Sequence, residues 1–296
     1  MVTVGSILSG TFRFVRANIP AIAIWTVLML VLGIVSRLAM APIYDTQLLN
    51  IAAAQQGLPP AIPPIGPFFL FFAGMMIVLL VLYNAVFRAV LFPADRAAAY
   101  LRLGMDELRL LGLMVALFFA FFVIMLAFGL VAGVVGAILG MALGMQRGEA
   151  ALLVFLVFAV IWLAMIFVSV RLSVVAPLTL QRRQIVIGPA WRLTKGRFWT
   201  LFGAYLVVIL ALIVVMVALT WPTMGPMMAA MSHPGDPEAA RQLAELQAQQ
   251  MRLDLTPFAI LMMIVNAVLG GVMLAFVGGM SAVATAQLLD EQAGRL

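Results

Sequence analysis

Hydrophobic positions along this chain of 296 residues fall into six long runs that are almost free of charge. A helix that spans a bilayer needs about 20 consecutive apolar residues, and each run is long enough. Between the last two runs, a polar loop is predicted over 222–256, within which Pro237–Arg252 has the pattern of an amphipathic helix. The pattern predicts six membrane-spanning helices, at residues 18–40, 68–92, 110–140, 150–176, 198–221 and 257–288.

The composition indicates that lipid is the main solvent of the chain. Hydrophobic residues make up 66% of it and charged residues 9%, whereas soluble domains average about 45–50% and about 25%. A water-soluble fold of this length needs more surface charge than the chain contains. The expected fold is therefore all-α, a polytopic bundle of six transmembrane helices in which residues 1–296 form a single transmembrane domain.

The third and sixth runs are longer than one upright span requires, and both contain glycines at helical spacing. They are either tilted or kinked helices that continue beyond the bilayer, or helices with a re-entrant break. Small residues let helix backbones approach closely, so we expect these glycines to mark tight packing. They are Gly129, Gly133, Gly136, Gly140 and Gly144 in the third run, and Gly270, Gly271, Gly278 and Gly279 in the sixth.

Arginine and lysine are distributed unequally between the two sides of the predicted bundle. The termini and the connections after the second and fourth spans carry 13 of these residues. The other side carries four, Arg37, Arg147, Arg241 and Arg252. Because short loops rich in Lys and Arg stay in the cytoplasm, we expect both termini to be cytoplasmic and the loop 222–256 to be periplasmic. The expected location is the bacterial inner membrane.

Each odd-numbered span follows a stretch in which apolar and basic residues recur at helical spacing. The three stretches begin near Gly5, Tyr100 and Gly188, and aromatic and basic side chains mixed in this way suit the head-group layer. One interpretation is three helical-hairpin repeats, each preceded by an interfacial amphipathic helix. The alternative is that every cytoplasmic entry to a membrane helix has this composition.

The residue types of the chain exclude several kinds of site. Cysteine is absent and His233 is the only histidine, which excludes disulfides, thiolate-bound metals and centres built on several histidines. We expect no metal and no cofactor. The formal net charge of +6 is attributed to topology and lipid head groups, and no nucleic-acid partner is expected.

The segment Arg171–Val207 reads RLSVVAPLTLQRRQIVIGPAWRLTKGRFWTLFGAYLV, a helix ending near a proline, a short linker and a W-R-L-T-K-G-x-F-W entry. With SILSGTFRFVRANIPA and YLRLGMDELRLL nearer the amino terminus, it resembles the glycerophosphoryl diester phosphodiesterase membrane-domain family. That membrane domain can be fused to a phosphodiesterase domain, whose paired histidines and carboxylates bind a divalent metal. A chain with one histidine lacks this set. The resemblance therefore implies association with lipid or with an enzyme, not hydrolysis.

Five basic residues are candidates for binding a phosphate head group. Arg88 and Arg171 lie near the predicted cytoplasmic ends of the second and fourth spans. They are either interfacial anchors or a pair of guanidinium groups in a cytoplasm-facing cleft. Arg192, Lys195 and Arg197 lie in the basic connection before the fifth span, which attracts anionic lipid and also sets topology.

These features favour a non-enzymatic integral membrane protein that binds or organises phospholipid, anionic lipid included, or serves as the membrane partner of another protein. The alternative is a transporter or channel for a small or lipidic solute, although no acidic residue lies in the middle of a predicted span. Asn84 and Asn266 form either interhelical hydrogen bonds or part of a substrate path. A membrane-embedded lipid enzyme lacks a recognisable set of acid, base and metal ligands.

The predicted orientation is testable with reporter fusions. A reporter in the linker 181–187 is expected to report the cytoplasm, and one in the loop 222–256 the periplasm. Two reporters measure the location of each fusion. Alkaline phosphatase is active only outside the cytoplasm, and a suitable fluorescent protein becomes fluorescent only inside it. Periplasmic activity from the 181–187 fusion contradicts the orientation.

Overall fold

The computed structural model describes residues 2–102, 104–142, 147–232 and 256–294. All regular secondary structure in these ranges is helical, and six helices are long and apolar enough to cross a membrane. The predicted all-α fold with six spanning helices is therefore confirmed. The helices are α1 (Val4–Ala17), α2 (Ile19–Gln55), α3 (Ile65–Leu91), α4 (Met105–Ala142), α5 (Arg147–Leu172), α6 (Val175–Arg182), α7 (Ile187–Leu193), α8 (Phe198–Ser232) and α9 (Pro257–Ala293).

Several spanning helices are longer than the predicted spans. α4 and α9 are continuous helices of 38 and 37 residues, so neither of the overlong runs contains a re-entrant break within the residues that the structure describes. At 1.5 Å per residue each extends for about 55 Å, well beyond a hydrocarbon core of about 30 Å. α2 likewise continues past residue 40 and through Pro42.

The fifth span also ends later than expected. α8 continues to Ser232, so residues 222–232 of the predicted polar loop are helical. Residues 233–255, which include the whole of the predicted loop helix Pro237–Arg252, lie outside the described residues. The loop was predicted to begin at Pro222, but the methionines and alanines of this segment favour helix.

The amphipathic helix α1 runs antiparallel to the carboxyl-terminal part of α9. The Ser6 hydroxyl donates to Gln287 Oε1 over 3.0 Å, and the Gln287 amide donates to the Ser6 carbonyl over 2.9 Å. About two turns further along α1, Phe14 lies against Gly279. Thr3 and Ser6 form a capping box at the start of the helix. α1 is thus the amphipathic helix predicted at the first entry, and α9 covers its apolar face.

Glycines let α9 approach its neighbours closely. A Cβ at Gly271 would lie 3.3 Å from the Thr26 Cα of α2 and closer still to its hydroxyl. A Cβ at Gly279 would lie 2.8 Å from the Phe14 ring of α1, and Gly278 makes a similar approach to α3. The expected tight packing is therefore present in the sixth run, because only a residue without a side chain fits these contacts.

Gly129 and Gly133 of the third run do not have this role within the described residues. A Cβ at Gly129 or Gly133 would meet nothing within 4 Å. Gly144 lies outside the described residues. The same small-residue spacing thus marks close packing in α9 and open surface at these two positions of α4.

The buried core lies toward one end of the bundle, which we call the basic end. It contains the start of α1, helices α6 and α7, the start of α8 and the end of α9. Within it α6 is enclosed by other helices. Val175, Leu178 and Thr179 are at most 1% exposed, and α6 contacts α3, α4, α7 and α9. Pro177 lies in the first turn of α6, where a proline removes no helical hydrogen bond.

The three predicted entry helices differ from one another. α1 precedes α2, and α7 precedes α8, but the stretch from Tyr100 contains no separate helix before α4 among the described residues. A short 3₁₀ turn at Ala97–Tyr100 stands there, with left-handed backbone at Ala98, Ala99 and Tyr100. The indole of Trp25 donates to the Ala99 carbonyl over 3.1 Å, which stabilises an otherwise unfavourable conformation.

Enlarging Gly271 tests whether the bundle depends on the contact between α2 and α9. Gly271→Leu places a side chain against the backbone at Thr26, and overpacking of this kind costs about 1–3 kcal/mol. We expect a lower midpoint of thermal unfolding in detergent, measured by circular dichroism. Gly133→Leu is the matched control and is expected to keep the wild-type midpoint. An equal loss in both variants would show that the close approach is not the cause.

Candidate functional site

A cavity of about 410 Å³ opens at the basic end and is lined by four basic side chains. Arg182 comes from the end of α6, Arg192 from α7, and Lys195 and Arg197 from the connection to α8. Leucine side chains from α6, α7 and α9 supply apolar wall, and Glu291 of α9 supplies a carboxylate. Basic groups from three elements thus meet around one space.

The local backbone explains why these side chains converge. α6 ends at Arg182, and Arg183 adopts a left-handed conformation at φ 53°, which reverses the chain toward α7. A second tight turn follows α7, where Gly196 has φ 78°. Glycine adopts this conformation at little cost, and the turn places Lys195 and Arg197 on the same cavity.

Positive charge in the cavity exceeds negative charge. The Arg197 Nη2 atom lies 2.5 Å from Glu291 Oε1, so these two groups form an ion pair. Among the described residues, the side chains of Arg182, Arg192 and Lys195 make no hydrogen bond or ion pair. Three positive charges therefore remain uncompensated around one space, which creates a local potential that attracts anions.

Arg171 lies beside this site but does not line the cavity. It is 8% exposed. Its Nε donates to Thr194 Oγ1 over 3.0 Å, and its Nη2 donates to the Trp191 carbonyl over 2.6 Å. Its guanidinium carbon lies 4.3 Å from the centre of a Trp191 ring, a cation–π contact. Arg171 therefore ties α5 to α7 and positions the cavity residues that flank Trp191 and Thr194.

Arg88 is neutralised in a different part of the structure. Its Nη2 atom lies 2.6 Å from Glu107 Oε1 and 3.8 Å from Asp106 Oδ2, and Asp106 also pairs with Arg109 over 2.7 Å. Arg88 and Glu107 are both buried. This network joins the end of α3 to the start of α4.

The structure thus brings together three of the five predicted site residues, Arg192, Lys195 and Arg197. Arg88 and Arg171 lie outside the cavity, and a head-group role for them stays a prediction. Sequence reasoning did not assign Arg182 and Glu291 to the site. Arg182 belongs to the basic run of the same connection, but nothing in the sequence indicates that Glu291, almost 100 residues later, lies beside Arg197.

The two asparagines inside the spans have different environments. Asn84 is fully buried, and within the described ranges neither of its amide atoms has a hydrogen-bond partner. The expected interhelical hydrogen bond is therefore absent there. Asn266 lines a recess of about 200 Å³ between α2 and α9, together with Arg37.

The fold defines the class of protein as an integral membrane protein, since six helices among the described residues could each cross the bilayer. Comparison with known proteins adds no closer relation, since no family model, no curated protein and no solved structure matches the chain. The resemblance to the glycerophosphoryl diester phosphodiesterase membrane-domain family stays a prediction.

A double-mutant cycle tests the buried ion pair between Arg88 and Glu107. Arg88→Leu leaves the buried Glu107 carboxylate without a cation, and Glu107→Leu leaves Arg88 with only its longer contact to Asp106. Breaking a buried ion pair in this way costs about 3–5 kcal/mol. The double variant removes both charges, so we expect it to be more stable than either single variant. Thermal unfolding in detergent measures the three variants, and additive losses would contradict a direct pair.

Proposed function

We propose that this protein is a non-enzymatic component of the bacterial inner membrane that binds anionic phospholipid head groups in the cavity at its basic end. One observation carries the proposal. Three unpaired basic side chains surround a single cavity at the end of an apolar helical bundle. We infer from the excess of Lys and Arg that this end faces the cytoplasm, where the head groups of the inner leaflet are anionic.

The chemistry of the cavity supports a phosphate ligand. Guanidinium groups offer planar pairs of donors that match phosphate oxygens, and an ammonium group adds a compact positive charge. Leu178, Leu193 and Leu288 in the wall suit the apolar part of a lipid next to its head group. Trp191 and Trp199 are partly or largely exposed nearby, and indole rings favour the membrane interface.

Binding fits this cavity better than catalysis. The carboxylate that lines it, Glu291, is paired with Arg197 and accepts from the Val2 backbone N–H over 3.4 Å. A general base must be able to take a proton from the substrate, and a carboxylate held in an ion pair is poorly suited to that. The resemblance to a membrane domain that occurs with a lipid phosphodiesterase supports the same role, either as a lipid-binding protein or as the partner of an enzyme.

A second candidate function is transport of a lipidic solute. A recess of about 400 Å³ between α4, α5 and α8 has hydroxyl groups of Ser169, Ser173 and Tyr205 in an otherwise apolar lining. Polar groups along a groove within the membrane are typical of a substrate path. Transfer of a fluorescent phospholipid between leaflets of reconstituted vesicles tests it. Transfer at the rate of protein-free vesicles would exclude this candidate.

Thermal stabilisation by added lipid tests the proposed function. A ligand that binds only the folded protein raises its unfolding midpoint. We expect an anionic phospholipid mixture, phosphatidylglycerol with cardiolipin, to raise the midpoint of the detergent-solubilised protein more than phosphatidylcholine does. The variant Arg192→Gln/Lys195→Gln is expected to lose most of that difference.

The control for this experiment is Arg183→Gln. Arg183 is exposed, follows Arg182 in the sequence and does not line the cavity. It is expected to keep the full response to anionic lipid. A response that is equal for the two lipid classes, or that survives in the double variant, would contradict the proposal.

A further inference from the structure

The number of unpaired charges in the cavity bears on which head groups it accepts. Arg182, Arg192 and Lys195 are without an ion-pair partner among the described residues. Each comes from a different segment, the end of α6, α7 and the turn before α8. Arg171 holds α7 and the turn after it in place through its contacts with Thr194 and the Trp191 carbonyl. Without a ligand, the cavity therefore has three positive charges that no carboxylate of the described residues neutralises.

The fourth basic residue does not add to this imbalance. Arg197 is 2.5 Å from Glu291, and both side chains are more than 70% buried, with exposed fractions of 25% and 16%. The pair forms a neutral wall of the cavity. It also means that the carboxylate is already engaged, so a head group with an ammonium, such as ethanolamine, finds no free carboxylate there.

We propose that the cavity selects lipid head groups that carry at least two negative charges, either a terminal phosphate monoester or two phosphodiesters, over head groups with a single phosphodiester. The inference rests on the proposed function, because it specifies the lipid that the same cavity binds. A single phosphodiester has one negative charge and leaves two of the three cations uncompensated. A phosphate monoester carries about 1.5 to 2 negative charges at pH 7 and offers three acceptor oxygens.

The expected size of the preference follows from the same charges. Attraction to a basic residue near the membrane surface is about fivefold in affinity for each charge. A second negative charge on the head group interacts with all three cations, and salt screens part of that gain. We therefore expect a preference of at least about tenfold at low salt.

Competition between lipids with the same acyl chains tests the proposal. The full-length protein in detergent micelles binds a fluorescent phosphatidylglycerol, and unlabelled lipids displace it. Phosphatidic acid and cardiolipin are expected to displace it at concentrations at least about tenfold lower than phosphatidylglycerol. Arg182→Gln is expected to reduce this preference about fivefold while still binding phosphatidylglycerol. Arg183→Gln, the matched control, is expected to keep the wild-type preference.

The possible outcomes separate the two proposals. If phosphatidylglycerol competes as well as phosphatidic acid and cardiolipin do, the proposed selectivity is wrong but the proposed binding of anionic lipid is not affected. If no anionic lipid displaces the probe better than phosphatidylcholine does, the proposed function itself fails. Inorganic pyrophosphate supplies two phosphates without acyl chains. If it displaces the probe as efficiently as cardiolipin does, the proposal that the ligand is a lipid is wrong. Loss of the preference in Arg183→Gln would place the selective charges outside the cavity.

Discussion

The close approach of α9 to its neighbours is the contact on which the rest of the structure depends. Gly271, Gly278 and Gly279 leave room for α2, α3 and α1 to lie against its backbone. With α1 and α2 held along it, the end of α9 lies beside the start of α8, where Glu291 pairs with Arg197. The basic cavity forms at this junction, between α6, α7 and the end of α9. Close helix packing in the apolar part of the protein therefore determines the position of the polar site.

The cost of burying charge explains which arginines are free to bind a ligand. Arg88 lies inside the bundle and is compensated by Glu107, and Arg171 is engaged by Thr194 and the Trp191 carbonyl. Removing a charge from water without such partners is expensive. Arg192 and Lys195 are exposed and make no ion pair within the described ranges. The unpaired cations thus lie where water or a lipid head group can solvate them.

Much of the fold could be predicted from the sequence because the length of an apolar run reflects the thickness of the bilayer. The six spanning helices follow from this rule, and the amphipathic α1 follows from apolar and basic residues that recur at helical spacing. Contacts between helices could not be predicted in the same way. Spacing alone does not separate Gly279, which lies against Phe14, from Gly133, which faces open space. For the site, the basic run indicated Arg192, Lys195 and Arg197. The pairing of Arg197 with Glu291 depends on how α8 packs against α9.

The central claim is that anionic lipid occupies the basic cavity. Native mass spectrometry of the protein extracted from its own membrane in mild detergent tests it most directly, since it detects lipid that remains bound through purification. The account predicts anionic phospholipid on the wild-type protein at about one molecule per chain, because the three unpaired cations surround one cavity. It also predicts that Arg182→Gln/Arg192→Gln/Lys195→Gln retains much less of it. The account would be contradicted if the wild-type protein carried no bound anionic lipid, or if the triple variant carried as much of it as the wild type.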